Sequence, residues 1–210
     1  MQDFSLARRA MVDSQLRPEA VTDRGVLAAM ASVERENFVP ESARALAYFD
    51  RPLRLSDGRA MMPPAALGRL LSELAPRAGE RALIIGSGTG YAAALLKAIG
   101  LEVVALESDE ELATAARAAG VETVTGNLAA GWAKEAPYDL VLFDGAVEEV
   151  PDSILKQLAP GGRLAGAIVD RGVTRLVVGR AAGGSLGLRS LADADVAILP
   201  GFSRPRAFTF

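Results

Sequence analysis

A glycine-rich turn between an apolar strand and a helix is the feature that most narrows what this chain can fold into. Arg81 to Ile85 has the apolar character of a short buried strand, and Gly86, Gly88 and Gly90 follow it at once. Glycine adopts positive φ without steric cost and lets a ligand approach the backbone closely. A strand that ends in such a turn and leads into a helix is the first half of a βαβ unit.

The rest of the chain after residue 79 repeats this alternation of strand and helix. Strands are expected over residues 81–85, 102–106, 121–125, 138–143 and 163–169, with helices over 91–99, 109–119 and 151–158 between them. Residues 173–180 and 185–191 are expected to pair as a hairpin across Gly183-Gly184. This order predicts an α/β fold, with a Rossmann-like, doubly wound parallel sheet over residues 79–210.

Residues 1–78 contain helical and turn signals but no long strand run. Helices are expected over residues 5–16, after a cap at Thr22 or Asp23, and from Pro63-Pro64 onward. Residues 48–55 are expected to form a small hairpin or an extended loop. We therefore expect a helical and hairpin extension that forms one structural unit with the sheet domain.

The composition excludes several kinds of chemistry. The 210 residues include no cysteine and no histidine, which excludes disulfides, thiolate metal sites, histidine bases and Ser-His-Asp triads, and no metal site is expected. The net charge of −3 argues against a basic nucleic-acid surface. No secretory leader or membrane-length apolar run is seen, so a cytoplasmic protein that binds neither membrane nor nucleic acid is expected.

An acidic residue follows the glycine turn at a spacing typical of nucleotide sites. Glu107 ends the second strand, 21 positions after Gly86, where a carboxylate can bind ribose hydroxyls. The spacing G-x-G-x-G is typical of S-adenosylmethionine (SAM) methyltransferases, whereas dinucleotide sites carry G-x-G-x-x-G, and here Tyr91 replaces that last glycine. The alternative is that the glycines only close a turn. The expected cofactor residues are Gly86, Ser87, Gly88, Gly90, Tyr91 and Glu107.

Several stretches, this turn among them, resemble the protein-L-isoaspartate O-methyltransferase family over nearly the whole chain. They are Met11-Val-Asp-Ser-Gln-Leu-Arg17, Val26-Leu-Ala-Ala-Met30, Val33-Glu-Arg-Glu-Asn-Phe-Val-Pro40, Tyr48 with Arg51-Pro-Leu53, Gly86 to Tyr91, Ala136-Pro-Tyr-Asp139 and Val150-Pro151 through Leu164. The resemblance implies a SAM cofactor and methyl transfer to the side-chain carboxylate of an isoaspartyl residue in a protein or peptide. A carboxylate acceptor is already ionised at pH 7 and needs no general base, which suits a chain without histidine.

The chain departs from the family pattern at three places. Arg59-Ala60-Met61-Met62-Pro63 stands where the family has Thr-Ile-Ser-x-Pro, so Met61 occupies the serine position and the catalytic residue is unknown. Ile84 replaces the acidic residue two before the first glycine. Asn127-Leu128 replaces an Asp-Gly pair, and both are retained as expected cofactor residues because the Asn127 carbonyl can accept a hydrogen bond from an adenine amino group.

Two further features leave alternatives open. Asp144 follows the fourth strand and is expected either to compensate for the acid lost at position 84 or to be a solvated turn residue. Arg54 and Arg59 are expected to be surface charges or ligands of an acidic acceptor. The favoured function is therefore isoaspartyl methyl transfer, and the alternatives are a different methyl acceptor or an inactive relative that serves as a binding module.

Overall fold

The computed structural model describes residues 3–182 and 185–203, and its first part is a helical extension with one small hairpin. The helices are α1 (Phe4–Met11), which continues into a π-helical turn at Val12–Leu16, α2 (Arg24–Ser32) and α3 (Pro64–Leu74), with 3₁₀ turns at Arg35–Phe38 and Glu41–Leu46. Strands β1 (Leu53–Ser56) and β2 (Arg59–Met61) form an antiparallel hairpin across Asp57-Gly58. The side chains of Asp3 and Asp23 cap α1 and α2 by accepting from backbone N–H groups in the first turn of each helix.

A seven-stranded sheet forms the second part. Its strands are β3 (Arg81–Ile85), β4 (Glu102–Glu107), β5 (Thr123–Thr125), β6 (Tyr138–Val147), β7 (Leu158–Asp170), β8 (Val173–Ala182) and β9 (Ser185–Asp193), interleaved with α4 (Tyr91–Ile99), α5 (Glu110–Ala118) and α6 (Asp152–Leu155). The order is β5-β4-β3-β6-β7-β8-β9. Strands β3 to β7 are parallel, and β8 and β9 add antiparallel to that edge. The expected α/β doubly wound fold is confirmed.

The sheet order places the site. The strand order reverses at β3, which lies between β4 and β6, and a doubly wound sheet opens a crevice for ligands at the carboxyl ends of the strands there. The glycine turn after β3, Glu107 at the end of β4 and Asp144 on β6 all reach this edge.

The helix before β7 is shorter than expected. The helix expected over residues 151–158 is only Asp152–Leu155, because the N–H of Tyr138 donates to the carbonyl of Gln157 at 2.8 Å and Leu158 already pairs with Tyr138 in the sheet. The hairpin of β8 and β9 is present, and Ala182 pairs with Ser185. The turn expected at Gly183-Gly184 lies outside the described residues.

Apolar side chains cover both faces of the sheet. On one face, residues of the extension such as Leu16, Met30 and Leu70 share a continuous core with Ile84 and Leu95 of the sheet domain. A second cluster on the other face includes Leu83, Phe143 and Leu199. Within the described ranges, none of the helices is long and apolar enough to span a membrane.

Candidate functional site

The glycine turn is tied to the neighbouring strand by its backbone. The N–H groups of Gly86 and Ser87 both donate to the carbonyl of Leu106, at 2.9 and 3.0 Å. Gly86, Gly88 and Gly90 have φ of 75°, 55° and 94°, a region that residues with a Cβ rarely adopt. The turn therefore requires glycine at these three positions.

Glu107 is fully buried at the centre of the site. Its Oε2 accepts from the N–H of Gly88 at 2.7 Å, and its Oε1 accepts from the N–H groups of Ser108 at 2.7 Å and Asp109 at 3.1 Å. Three backbone donors stabilise a buried carboxylate, because hydrogen bonds to an ionised acceptor are strong. The sequence placed Glu107 correctly at the end of β4, and the fold shows that it also fixes the glycine turn.

Arg59 pairs with Glu107 inside the crevice. Its Nη2 donates to Glu107 Oε2 at 2.8 Å and to the carbonyl of Gly86 at 3.0 Å, and its Nη1 donates to Glu107 Oε1. The side chain is only 5% exposed, so the expectation of a surface charge is wrong for Arg59. Arg54, on strand β1 of the same hairpin, is exposed as expected and pairs with Asp57.

Two leucines also cover the glycine turn. A Cβ built on Gly86 would lie 2.5 Å from Leu199, and one built on Gly88 would lie 3.0 Å from Leu55. Leu199 is held there because its N–H donates to the carbonyl of Ala146 and the N–H of Ala146 donates to the carbonyl of Ala197, both at 2.8 Å. The space left beside the turn is a cavity of about 10 Å³.

Asp144 lines the same cavity and is buried, so it is not a solvated turn residue. Its Oδ1 has no hydrogen-bond partner within the described residues. Burial raises the pKa of Asp144 to about 7, and the positive charges of Arg59 and Arg35 only partly oppose this, while Glu107 adds to it. An unpaired buried carboxylate is costly unless a cation or a ligand meets it.

A second buried arginine lies against Tyr91. Arg35 donates to the carbonyls of Ala47 at 2.7 Å and Met62 at 2.6 Å, and its Cζ lies 4.8 Å from the centre of the Tyr91 ring. Desolvation lowers the pKa of Arg35 and raises the pKa of Tyr91. Among the described side chains, Arg35 Nη1, the Tyr91 hydroxyl and the Ser87 hydroxyl are buried without hydrogen-bond partners. Arg35 was not among the functional residues predicted from the sequence, although Arg35 lies within the family-like stretch from Val33 to Pro40.

The structure places Met61, Asn127 and Leu128 in three different environments. Met61 lines the cavity beside the glycine turn, at the position the resemblance gave it, and is 4% exposed. Asn127 is exposed at the edge of the crevice and accepts from the N–H of Ala129 at 3.0 Å. Leu128 packs into the second apolar cluster, which leaves only its backbone for a ligand.

The fold and this site define a class of protein: a Rossmann-like α/β protein with a nucleotide-type glycine turn and a ribose-type carboxylate. Two solved structures have the same fold. One is a protein-L-isoaspartate O-methyltransferase, with a TM-score of 0.82 and 23% identity over 92% of this chain and 66% of that longer chain. The other is a putative protein-L-isoaspartate O-methyltransferase from Plasmodium falciparum in complex with S-adenosyl-L-homocysteine, with a TM-score of 0.78 and 18% identity over 95% and 99% of the two chains.

Sequence comparison gives the family. Residues 7–187 match the family profile of protein-L-isoaspartate(D-aspartate) O-methyltransferase. The protein-L-isoaspartate O-methyltransferase of Methylorubrum populi is 40% identical over 75% of this chain and 77% of its own length, and that of Methanoculleus marisnigri is 36% identical over 81% and 80%. The chain belongs to the protein-L-isoaspartate O-methyltransferase family, and the resemblance drawn from its motifs is confirmed.

SAM is the methyl donor of this family, and the donor set here suits it in chemistry. The turn has no Cβ at Gly86, Gly88 and Gly90, so a ligand can approach its backbone there, and Glu107 offers the carboxylate that ribose hydroxyls require. The cavity beside the turn is too small for SAM in this conformation: it measures about 10 Å³, whereas sites for ligands of this size need roughly 300 Å³ or more. Arg59, Leu55 and Leu199 must therefore move before a nucleoside can lie on the turn.

Proposed function

We propose that this protein is a SAM-dependent methyltransferase that modifies a side-chain carboxylate of a protein or peptide, with an isoaspartyl residue as the acceptor. The observation that carries the proposal is the buried carboxylate of Glu107, held against the glycine turn at the switch point of a family-type sheet. SAM supplies an electrophilic methyl group when it is bound. Gly86, Ser87, Gly88, Gly90, Tyr91, Glu107, Asn127, the Leu128 backbone and Asp144 are the residues proposed to hold it.

The protein's own contribution to such a transfer is alignment and exclusion of water. An isoaspartyl carboxylate is ionised at neutral pH and needs no base, so the site has to hold it in line and keep it dry. Burial of Met61, Tyr91 and Asp144 around the turn supports this, since it provides an enclosed, low-dielectric site.

An open groove beside the hairpin supports a peptide acceptor. It has a volume of about 590 Å³, and Leu55 lines both this groove and the small cavity at the glycine turn. Arg51 lines the groove and is exposed, so its charge is available to an acidic peptide. A carboxylate that enters from this groove reaches the turn once Leu55 has moved.

Turnover of an isoaspartyl peptide is expected to be slow. Met61 lines the cavity at the position where the family carries its serine, and its thioether cannot donate a hydrogen bond to an acceptor carboxylate. Arg59 stands at the family's threonine position, and its guanidinium is already paired with Glu107. We expect transfer of radiolabelled methyl groups to an isoaspartyl peptide at about 10²–10³ below the rate of a relative that keeps the hydroxyls. The same peptide with a normal aspartyl residue is the control, and equal labelling of the two peptides would contradict the proposed acceptor.

The cofactor part of the proposal is tested by Glu107→Ala. We expect the variant to bind S-adenosylhomocysteine at least about tenfold more weakly, because it loses charge-assisted hydrogen bonds and the fixed position of Gly88. Calorimetric titration measures the affinity, and urea unfolding confirms that the variant is folded. Glu102→Ala, an exposed glutamate on the same strand, is the matched control and should bind as the wild type does. An unchanged affinity in a folded Glu107→Ala protein would refute the site.

A further inference from the structure

The guanidinium of Arg59 binds the carboxylate of Glu107, which is the group proposed to bind the cofactor ribose. Glu107 has about four lone-pair positions, and six donors already approach them: two from Arg59, the N–H and the hydroxyl of Ser108, and the N–H groups of Gly88 and Asp109. The three backbone donors belong to the turn itself and to the following residues. The guanidinium binds both carboxylate oxygens, and it can leave without unfolding the turn.

A second carboxylate is available to Arg59 in the same cavity. Asp144 and Arg59 both line the space beside the glycine turn, and Asp144 Oδ1 is buried without a partner among the described residues. The charged groups that act on Asp144 are Arg59 on β2, Arg35 in the extension and Glu107 on β4. The Nη1 of Arg35 has no hydrogen-bond partner in the described part of the chain, but its Nε and Nη2 donate to two carbonyls that fix the guanidinium in place. Arg59, in contrast, is held by side-chain and turn contacts that a ligand can replace.

We infer that Arg59 competes with the cofactor for Glu107: its guanidinium pairs with Glu107 in the conformation described and moves to Asp144 when a nucleoside binds. This inference rests on the proposed cofactor site and adds a gate to it, by which we mean the movement of Arg59 from Glu107 to Asp144. The hairpin that carries Arg59 is a separate two-stranded sheet with an irregular register between Arg54 and Ser56, so it can shift without disturbing the main sheet. Leu55 of the same hairpin covers Gly88 and would move with it.

The test is a double-mutant cycle of S-adenosylhomocysteine affinity at pH 8, measured by calorimetric titration. Arg59→Ala should bind at least about tenfold more tightly than the wild type, because no ion pair has to be broken. Asp144→Asn should bind about tenfold more weakly in the wild-type background, since the displaced guanidinium loses its new partner. In the Arg59→Ala background, Asp144→Asn should weaken binding by a clearly smaller factor, because only the proposed contact of Asp144 with the cofactor is then lost. Arg44→Ala, an exposed arginine of the extension, is the control and should bind as the wild type does.

The outcomes separate the gate from the cofactor site. Equal affinity of the wild type and Arg59→Ala, or an equal effect of Asp144→Asn in both backgrounds, would overturn the gate while leaving the cofactor site intact. No binding by any variant would overturn both. Binding that follows the cycle, with no methyl transfer to peptide, would support the gate and refute the proposed reaction. Arg59→Met keeps an apolar side chain without the charge, and it should also bind S-adenosylhomocysteine more tightly than the wild type. It replaces Arg59→Ala in the cycle if that variant does not fold.

Discussion

Asp144 changes its ionisation on folding. The unfolded side chain titrates near 3.8, whereas burial raises its pKa in the folded protein to about 7. Between these values the folded protein retains a proton that the unfolded chain has lost. Its contribution to stability is therefore present below pH 4 and is lost as the pH rises to about 7.

This predicts a pH-dependent difference between the wild type and Asp144→Asn. As the pH rises from 4 to 7, the free energy of unfolding of the wild type should fall relative to the variant, by at most about 1.4 kcal/mol per pH unit. Above pH 7 the difference should be constant. Urea unfolding at a series of pH values measures it, and Asp57→Asn, at an exposed position, should follow the wild type. Parallel curves for the wild type and Asp144→Asn would contradict the burial of an unpaired carboxylate.

At the scale of elements, the glycine turn and the β1–β2 hairpin are held together by one carboxylate. Glu107 connects them, since it accepts from Gly88 in the turn and from Arg59 in the hairpin. The turn depends on positive φ at Gly88, where a Cβ would also meet Leu55 at 3.0 Å.

Gly88→Val should therefore lose both stability and affinity. A β-branched residue at φ 55° costs about 1–3 kcal/mol of folding free energy, and the side chain projects into the crevice. We expect a lower melting temperature and no measurable binding of S-adenosylhomocysteine. Gly172→Val, at φ 79° with open space around it, isolates the backbone strain and should be destabilised but still bind. Retained affinity in Gly88→Val would mean that the turn does not hold the cofactor.

At the scale of the whole molecule, Arg35 connects the extension to the sheet domain. It is fully buried, binds carbonyls before the hairpin and before α3, and lies over the ring of Tyr91 at the start of α4. The two parts of the chain also share one continuous apolar core. We therefore expect them to unfold together.

Arg35→Ala should destabilise the whole protein in a single transition. Two buried carbonyls lose their donor and a cavity forms against Tyr91, which together cost about 3–5 kcal/mol. Urea unfolding followed by both far-UV circular dichroism and Trp132 fluorescence measures it, and the two curves should coincide. Arg9→Ala, an exposed arginine of α1, should change stability by less than about 0.5 kcal/mol. Separate transitions would contradict the coupling of the two parts.

The sequence by itself determined the βαβ pattern, the glycine turn, the place of Glu107 and the family, because each depends on residues close together in the chain or on fixed spacings. Only the tertiary structure decided what fills the site. Arg59 lies 48 positions from Glu107, and the pair forms because the hairpin folds over the carboxyl edge of the sheet. Leu199 covers Gly86 only because the segment after β9 returns to pair with Ala146 on β6. An arginine or a leucine far along the chain carries no local sign of burial, since its environment is set by long-range packing.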